Sequence, residues 1–417
     1  MASLPDATQG EFRLGMLFYD TRYRSLTIQV IFFMLFMAGA AWLVNNVIEN
    51  LRILGKDFDF GFLTVRAGYD INQRLVEYSN DSTHARAMLI GLLNTLLLAF
   101  LACITATIVG ILAGVLRLSK NWVVARLMTL YVETFRNVPL LLWILLVNAI
   151  MTESMPSPRD FRGADATASM MLNDSVAVTN RGIYVPEPLF TNSLGNIDIG
   201  IFLISIDLLA VLAAVYVGIY INRAVLRRAT RIQHETGVRP TTWWQSVLLI
   251  AGIPLVLLAL LGFHLGYPEM KGFNFSGGIH LRNSLLAMWI ALTLYTGAFI
   301  AEIVRAGILA ISRGQSEASF ALGMQPGRTM QLVVLPQALR VIIPPLISQY
   351  LNITKNTSLA LAVGYMDLRS TLGGTTINVT GRELEGMMLM MLVYLVISLI
   401  ISGAMNFYNT RVQLRSR

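Results

Sequence analysis

Charge is scarce in this 417-residue chain: Asp, Glu, Lys and Arg make up 13% of it, against 55% hydrophobic residues. A soluble chain of this size carries roughly 25% charge, so a water-soluble globular fold is excluded. Cysteine is nearly missing. Cys103 alone, set in an apolar run, leaves no disulfide framework and no Cys-based metal site, and reads as a small packing residue. His84, His234, His264 and His280 are scattered without H-E-x-x-H or comparable ligand spacing, so neither a metal site nor a cofactor is expected. The chain also lacks a G-x4-G-K-S/T phosphate loop, which excludes that mode of ATP binding. No nucleophile–base constellation stands out, which argues against an enzyme.

Long apolar runs fill the chain instead. A hydrocarbon core of about 30 Å takes about 20 helical residues. Eight stretches meet that length: 25–48, 88–116, 127–151, 200–222, 245–266, 283–312, 332–354 and 386–408. The short alternating segments of a transmembrane β-barrel are absent, so the expected fold is an all-α polytopic membrane protein. The first run exceeds a signal peptide's apolar region and has no small-residue cleavage pattern, so it is expected as a retained helix.

The formal net charge of +8 would suit nucleic acid, but its distribution argues for topology. With the N-terminus inside, segments 1–24, 117–126, 223–244, 313–331 and 409–417 hold 16 Lys/Arg against 5 Asp/Glu. The opposite segments, 50–87, 152–199, 267–282 and 355–385, hold 13 against 15. This asymmetry is the positive-inside pattern, and an even span count puts both termini in the cytoplasm. No nucleic-acid partner is implied.

Inside the runs, a few residues ask for a reason. Gly110-x3-Gly114 is a small-x3-small pair, expected to pack against another helix of the same chain. Pro344-Pro345 removes backbone donors and is expected to kink or interrupt its helix. Asp207 is expected to hold a local hydrogen bond. An ionisable group at a bilayer centre costs about 2.5–3.5 kcal/mol on insertion scales. Glu302 and Arg305 are nonetheless spaced i, i+3 on one helix face, and Glu133 and Arg136, followed by Asn137, repeat that spacing. Lys355, Asn356, Thr357 and Ser358 form a polar cluster at an expected helix break, where they are expected to gate or line a solute path. Each Glu–Arg pair could brace helices or line a path, and both readings stay open.

Between the sixth and seventh runs, residues 316–322 read as a short helix. Gly323 supplies a stop tolerant of positive φ, and Pro326 fits the first turn of a second helix. Glu317 is expected near the N-terminus of the first helix, where its charge suits the macrodipole. Phe320, Leu322 and Met324 would face water, and exposed apolar surface of that kind marks a partner site.

The run Glu317-Ala318-Ser319-x3-Gly323-x9-Val333-x-Leu335-Pro336 resembles the EAA loop of ABC-importer permeases, departing from it only at Ser319 and Val333. Two larger blocks look like the polar amino-acid branch of that family. One is Gly314-Gln315-x-Glu317-Ala318 through Leu335-Pro336-Gln337-Ala338 to Lys355-Asn356-Thr357-Ser358-Leu359. The other is Gly91-x2-Asn94-Thr95 with Tyr131-x-Glu133-x2-Arg136-Asn137-x-Pro139-Leu140-Leu141.

The resemblance covers a five-helix type I importer core, 88–151 and 283–408, with a coupling loop at 314–336. Around it lie an N-terminal segment 1–87 with one accessory span, an insertion 152–282 with two more, and a tail 409–417. These extra helices make the chain look like the long glutamate/glutamine/aspartate/asparagine or general L-amino-acid permeases of Gram-negative inner membranes. The resemblance implies separate ATPase subunits gripping the loop, with ATP hydrolysed on those chains. It also implies a second permease, expected to be a paralogue, and a periplasmic amino-acid-binding protein. A path for a zwitterion asks for one cation, one anion and nearby amides or hydroxyls. The alternative is an ion-gradient-driven secondary transporter, whose matching broken-helix repeats are not visible in the sequence.

Overall fold

The computed structural model describes residues 21–53, 58–163, 166–200 and 203–412, and the chain divides into two compact units, one ending at Phe60 and the other beginning at Gly61. The first unit is helix α1 (Thr21–Ile53), whose 33 residues reach about 50 Å at 1.5 Å per residue. Phe32, Phe33, Leu35, Phe36 and Trp42 on it are all largely exposed. A helix apolar on every side is one that lipid covers.

The second unit contains α2 (His84–Leu116), α3 (Trp122–Asn137), α4 (Leu140–Glu153), α5 (Ile206–Thr236) and α6 (Trp243–Leu260). They are followed by α7 (Asn283–Leu309), α8 (Arg313–Ala321), α9 (Leu335–Asn356) and α10 (Glu383–Val412). Among the described residues, seven helices are long and apolar enough to cross a bilayer, or eight with α3 and α4 taken as one bent span.

Helix α7 is the hub. It packs on α2, α3, α4 and α9, and Met288, Ala291, Leu292, Ala298, Ile300 and Ala301 along it are fully or almost fully buried. The Gly110-x3-Gly114 pair makes the α2–α7 contact possible, within the chain as expected. A Cβ at Gly110 would meet Ile300 Cβ at 2.5 Å, and one at Gly114 would meet the Ala301 carbonyl oxygen at 2.6 Å. The same contact carries a hydrogen bond between Thr105 Oγ1 and Thr293 Oγ1 (2.6 Å) and one from Trp289 Nε1 to Thr105 Oγ1 (3.0 Å).

Three helix boundaries differ from the sequence reading. The expected third span, 127–151, is two helices bent by 107°. Val138 is extended (φ −107°, ψ 134°) because it precedes Pro139, whose ring disfavours the α conformation of its predecessor. Helix α9 is not interrupted at Pro344-Pro345; it runs on to Asn356, with both prolines exposed. It then tightens into a 3-10 turn, Thr357–Val363. Helix α5 continues to Thr236, so most of the basic stretch taken as a loop is helical.

The insertion also contains short antiparallel strands, most of them where loop is expected from the sequence, with β5 and β6 replacing the outer ends of the expected spans 200–222 and 245–266. These are β1 (Ala177–Thr179), β2 (Gly182–Val185), β3 (Glu187–Phe190), β4 (Asn196–Asp198), β5 (Leu203–Ser205), β6 (Phe263–Gly266), β7 (Glu269–Lys271), β8 (Asn274–Ser276) and β9 (Ile279–Arg282). They form one three-stranded sheet, β1-β2-β9, and the pairs β3-β6, β4-β5 and β7-β8. In the sheet His280 stacks on Tyr184 with ring centres 4.2 Å apart. Burial lowers the His280 pKa. Asp207, at the start of α5, accepts hydrogen bonds from Ser193 Oγ (2.6 Å) and the Leu194 amide (2.8 Å), the local role expected of it.

Candidate functional site

Helix α8 begins at Arg313, earlier than the sequence reading placed it, and ends in a complete Schellman motif. The Gly323 amide donates to the Phe320 carbonyl (2.9 Å) and the Met324 amide to the Ser319 carbonyl (3.1 Å), with Gly323 at φ +77°. Gln325 and Pro326 start the next turn, Pro326–Thr329, and a π-helical stretch, Met330–Val334, leads into α9 at Leu335-Pro336. Ser319 is buried and its hydroxyl donates to the Gln315 carbonyl (2.8 Å), while Gln337 Nε2 donates to Gln315 Oε1 (3.4 Å). The loop is thus tied to the foot of α9. Gly314 and Ala318 lie on the exposed surface of α8.

Glu317 is not where the sequence reading put it. Because α8 starts at Arg313, the glutamate sits in its second turn, past the orphan amides that reward a negative charge. It is exposed and forms no ion pair among the described residues. Phe320 and Leu322 are 49% and 83% exposed, leaving an apolar knob beside that carboxylate.

The charged residues of the core form one knot where α2, α3 and α7 end together. Glu302 on α7 pairs with Arg117 at the end of α2, with Arg305 (3.5 Å) and with Arg136 (3.9 Å). Arg117 also approaches Glu133 at 3.9 Å. The Glu133/Arg136 spacing read from the sequence therefore does not pair with itself; both residues turn to partners on other helices. Arg117, whose side chain is only 8% exposed, was not among the residues singled out. Its position at the end of an apolar run was its only local signal. Asn137 closes α3 at the bend.

Arg136 also stacks over the Phe299 ring at 5.4 Å. Phe299 in turn lines a cavity of about 280 Å³ between α7 and α9, together with Tyr295, Thr296, Gln349, Asn352 and Asn356. Asn356 is the one residue of the predicted 355–358 cluster that lines this cavity. Lys355 is exposed, Thr357 is buried with its hydroxyl on the Thr354 carbonyl (2.8 Å), and Ser358 donates to the Lys355 carbonyl (2.8 Å). The arrangement offers aromatic faces and side-chain amides to a small polar solute, without a free carboxylate.

The Gly91-x2-Asn94-Thr95 block holds the segment after α9 against α2. Asn94 Nδ2 donates to the Met366 and Gln73 carbonyls (2.8 Å each), and Thr95 Oγ1 accepts the Leu368 amide (3.0 Å). A Cβ on Gly91 would fall 2.0 Å from Thr371 Oγ1. Asp367, fully buried, caps the turn that follows through the Ser370 amide (2.9 Å) and hydroxyl (2.8 Å).

The apolar helices form a multi-pass membrane bundle, and the comparisons place it among transport subunits. Residues 243–414 match the family described as binding-protein-dependent transport system inner membrane component. Along its whole length the chain is 58% identical to all of the glutamate/glutamine/aspartate/asparagine transport system permease protein BztB of Rhodobacter capsulatus. It is 41% identical to the general L-amino acid transport system permease protein AapQ of Rhizobium johnstonii, over 98% of this chain and 97% of that one. A crystal structure of an amino acid ABC transporter with histidines overlays 79% of the chain, and 95% of its own, at 17% identity and a TM-score of 0.44. The chain belongs to the multi-pass inner-membrane permeases of binding-protein-dependent ABC importers. Nothing supports the secondary-transporter alternative.

Proposed function

We propose that this chain forms half of an amino-acid translocation path, driven by ATPase subunits that grip residues 314–334 from the cytoplasm. The full-length kinship with a glutamate/glutamine/aspartate/asparagine permease carries this reading, and points to acidic amino acids and their amides as the first substrates to try. The positive-inside charge count supports the orientation, with both termini and α8 in the cytoplasm. The other half is a paralogous permease, since accessory helices on one subunit suit an asymmetric pair. A periplasmic binding protein delivers the solute.

Within the chain, the knot around Glu302 serves as a brace and the Asn356 cavity as the path. Glu302 meets three guanidinium groups, which leaves it little capacity to engage an incoming ammonium. Asn352, Asn356, Gln349 and Thr296 offer donors and acceptors that can be exchanged for those of a zwitterion. Lys355, Thr357 and Ser358 shape the end of α9 at the mouth of this path. Closure of the ATPase dimer would push α8, and through the Gln315–Gln337 contact the foot of α9, as one rigid lever.

The test is copurification with uptake. Detergent-purified complex should retain an ATPase subunit and drive ATP-dependent glutamate and glutamine uptake in proteoliposomes. Asn356→Leu should cut uptake about tenfold, as expected for losing one buried hydrogen-bonding group, with ATPase retention unchanged. Uptake by the chain alone, without nucleotide, defeats the proposal.

A further inference from the structure

The accessory hairpin α5–α6 lies outside everything the transport reading uses, yet it encloses a cavity of about 590 Å³. Its lining changes character along the helices. Ile221, Val225, Leu248 and Leu249 make one end apolar, while Arg228 and Gln245 stand at the other. We infer that this cavity binds an anionic glycerophospholipid, its phosphate held by Arg228 with the Thr241 and Thr242 hydroxyls and its acyl chains lying along the apolar end.

The helix lengths put the polar end at the membrane surface. From Ile206 to Asn222, α5 spans 17 residues, or about 26 Å, close to one hydrocarbon thickness of about 30 Å. Arg223 therefore falls at the boundary, and the rest of α5 to Thr236 projects beyond it. Helix α6, Trp243–Leu260, spans about 27 Å by the same rise, which brings Trp243 and Trp244 to the same level. Both tryptophans are more than half exposed, as aromatic side chains of an interfacial belt are.

Charge selects the ligand. Arg228 is the arginine among the lining residues; Arg223, Arg227 and Arg231 recur at i, i+4 and i+8 on the other side of α5. Arg228 pairs with no carboxylate among the described residues. Planar guanidinium forks match phosphate oxygens in a bidentate manner. The Thr241 and Thr242 hydroxyls at the same end suit the remaining headgroup oxygens. A free phosphate would leave the apolar end empty, and a zwitterionic lipid would set its own cation against Arg228.

The experiment uses the purified full chain in its complex, exchanged into nanodiscs of phosphatidylcholine containing 10% phosphatidylglycerol by design, and then returned to detergent for native mass spectrometry. Phosphatidylglycerol should be retained in preference to phosphatidylcholine. Arg228→Gln should lower retention about fivefold, the share of one basic residue at an anionic surface. Lys120→Gln with Arg126→Gln, a larger charge loss elsewhere on the same side, should leave it unchanged. Equal retention of both lipids by the wild type overturns the inference, and that arm needs no variant to fold. So does an equal loss in the Lys120/Arg126 control, which would make the attraction diffuse. Displacement by millimolar inorganic phosphate would identify a phosphate site instead and overturn the lipid assignment.

Discussion

If the Glu302 knot is a brace, its members should matter for stability in a defined order. Removing one partner of a buried ion pair costs about 3–5 kcal/mol when the other is left uncompensated. Glu302→Gln leaves Arg117, 8% exposed, with only Glu133 at 3.9 Å, and raises the net charge of the group from +1 (three arginines, two glutamates) to +2. Because the Glu302 side chain retains 29% exposure, water screens part of the loss and we expect about 2–3 kcal/mol. Arg117→Met leaves Glu302 with Arg305 at 3.5 Å and Arg136 at 3.9 Å, so about 1–2 kcal/mol is expected. Arg305→Gln removes a one-third-exposed partner and should cost about 0.5–1 kcal/mol. The assay is thermal unfolding of the detergent-purified chain by tryptophan fluorescence, at about 2 °C per kcal/mol. Uptake in proteoliposomes is measured on the same preparations. If Arg305→Gln abolishes uptake without moving the melting temperature, the brace is refuted for this arginine and it belongs to the path.

Gly323→Val should uncouple ATP hydrolysis from uptake, since a β-branched residue at φ +77° costs about 1–3 kcal/mol and reshapes the end of α8; normal coupling in that variant would rule out the rigid lever. Gly114→Leu should push α2 off α7 and cost about 1–3 kcal/mol or more, because the added Cβ already meets the Ala301 carbonyl at 2.6 Å; a melting temperature within 1 °C of wild type would contradict the close packing, given about 2 °C per kcal/mol. Asp367→Ala should cost about 1 kcal/mol through loss of its cap on Ser370, and Asp367→Asn much less, as the retained amide oxygen still accepts; equal costs would show that the cap is not what matters. The histidine in β9 carries a lowered pKa, so it binds fewer protons folded than unfolded. Its share of stability is present above the unfolded value of about 6.5 and is lost as pH falls through that value toward the folded one. Amide exchange in β2 and β9 should accelerate below pH 6 in the wild type and not in His280→Gln.

What was legible in the sequence was local. Apolar runs set the helices, Gly323 and Pro326 marked the turn after α8, and the i, i+3 spacing of Glu302 and Arg305 put them in contact. What was missed depends on neighbours distant in sequence. Arg117 meets Glu302 across 185 positions, and nothing near Arg117 announces that partner. The start of α8 was placed late because Arg313-Gly314-Gln315 gives no apolar period, while Ser312 caps it from an extended backbone. The strands of the insertion are three or four residues long, shorter than any alternation that can be told from loop. Pro344-Pro345 erred in the other direction: a strong local breaker was overridden by the packing of Ile342, Ile343 and Ile347, all buried on one side of α9.

That override bears on how work could pass from the loop to the path. A break at Pro344 would have placed a hinge between the foot of α9 and the Asn356 cavity, letting the loop move while the path stayed still. Continuous helix from Leu335 to Asn356, with Gly307 of α7 seated against Ile342, transmits displacement along the axis instead. The π-helical stretch Met330–Val334 is the irregular turn left at the lower end, directly beneath α9. A single-turn π-bulge is an inserted residue, and deleting one residue there should restore α-helical register and rotate α8 about 100° relative to α9, one residue's turn. The Gln315–Gln337 contact would then be lost and ATPase retention with it. A Gln331 deletion that still copurifies with its ATPase and transports at the wild-type rate would show that the register of this turn does not set the lever.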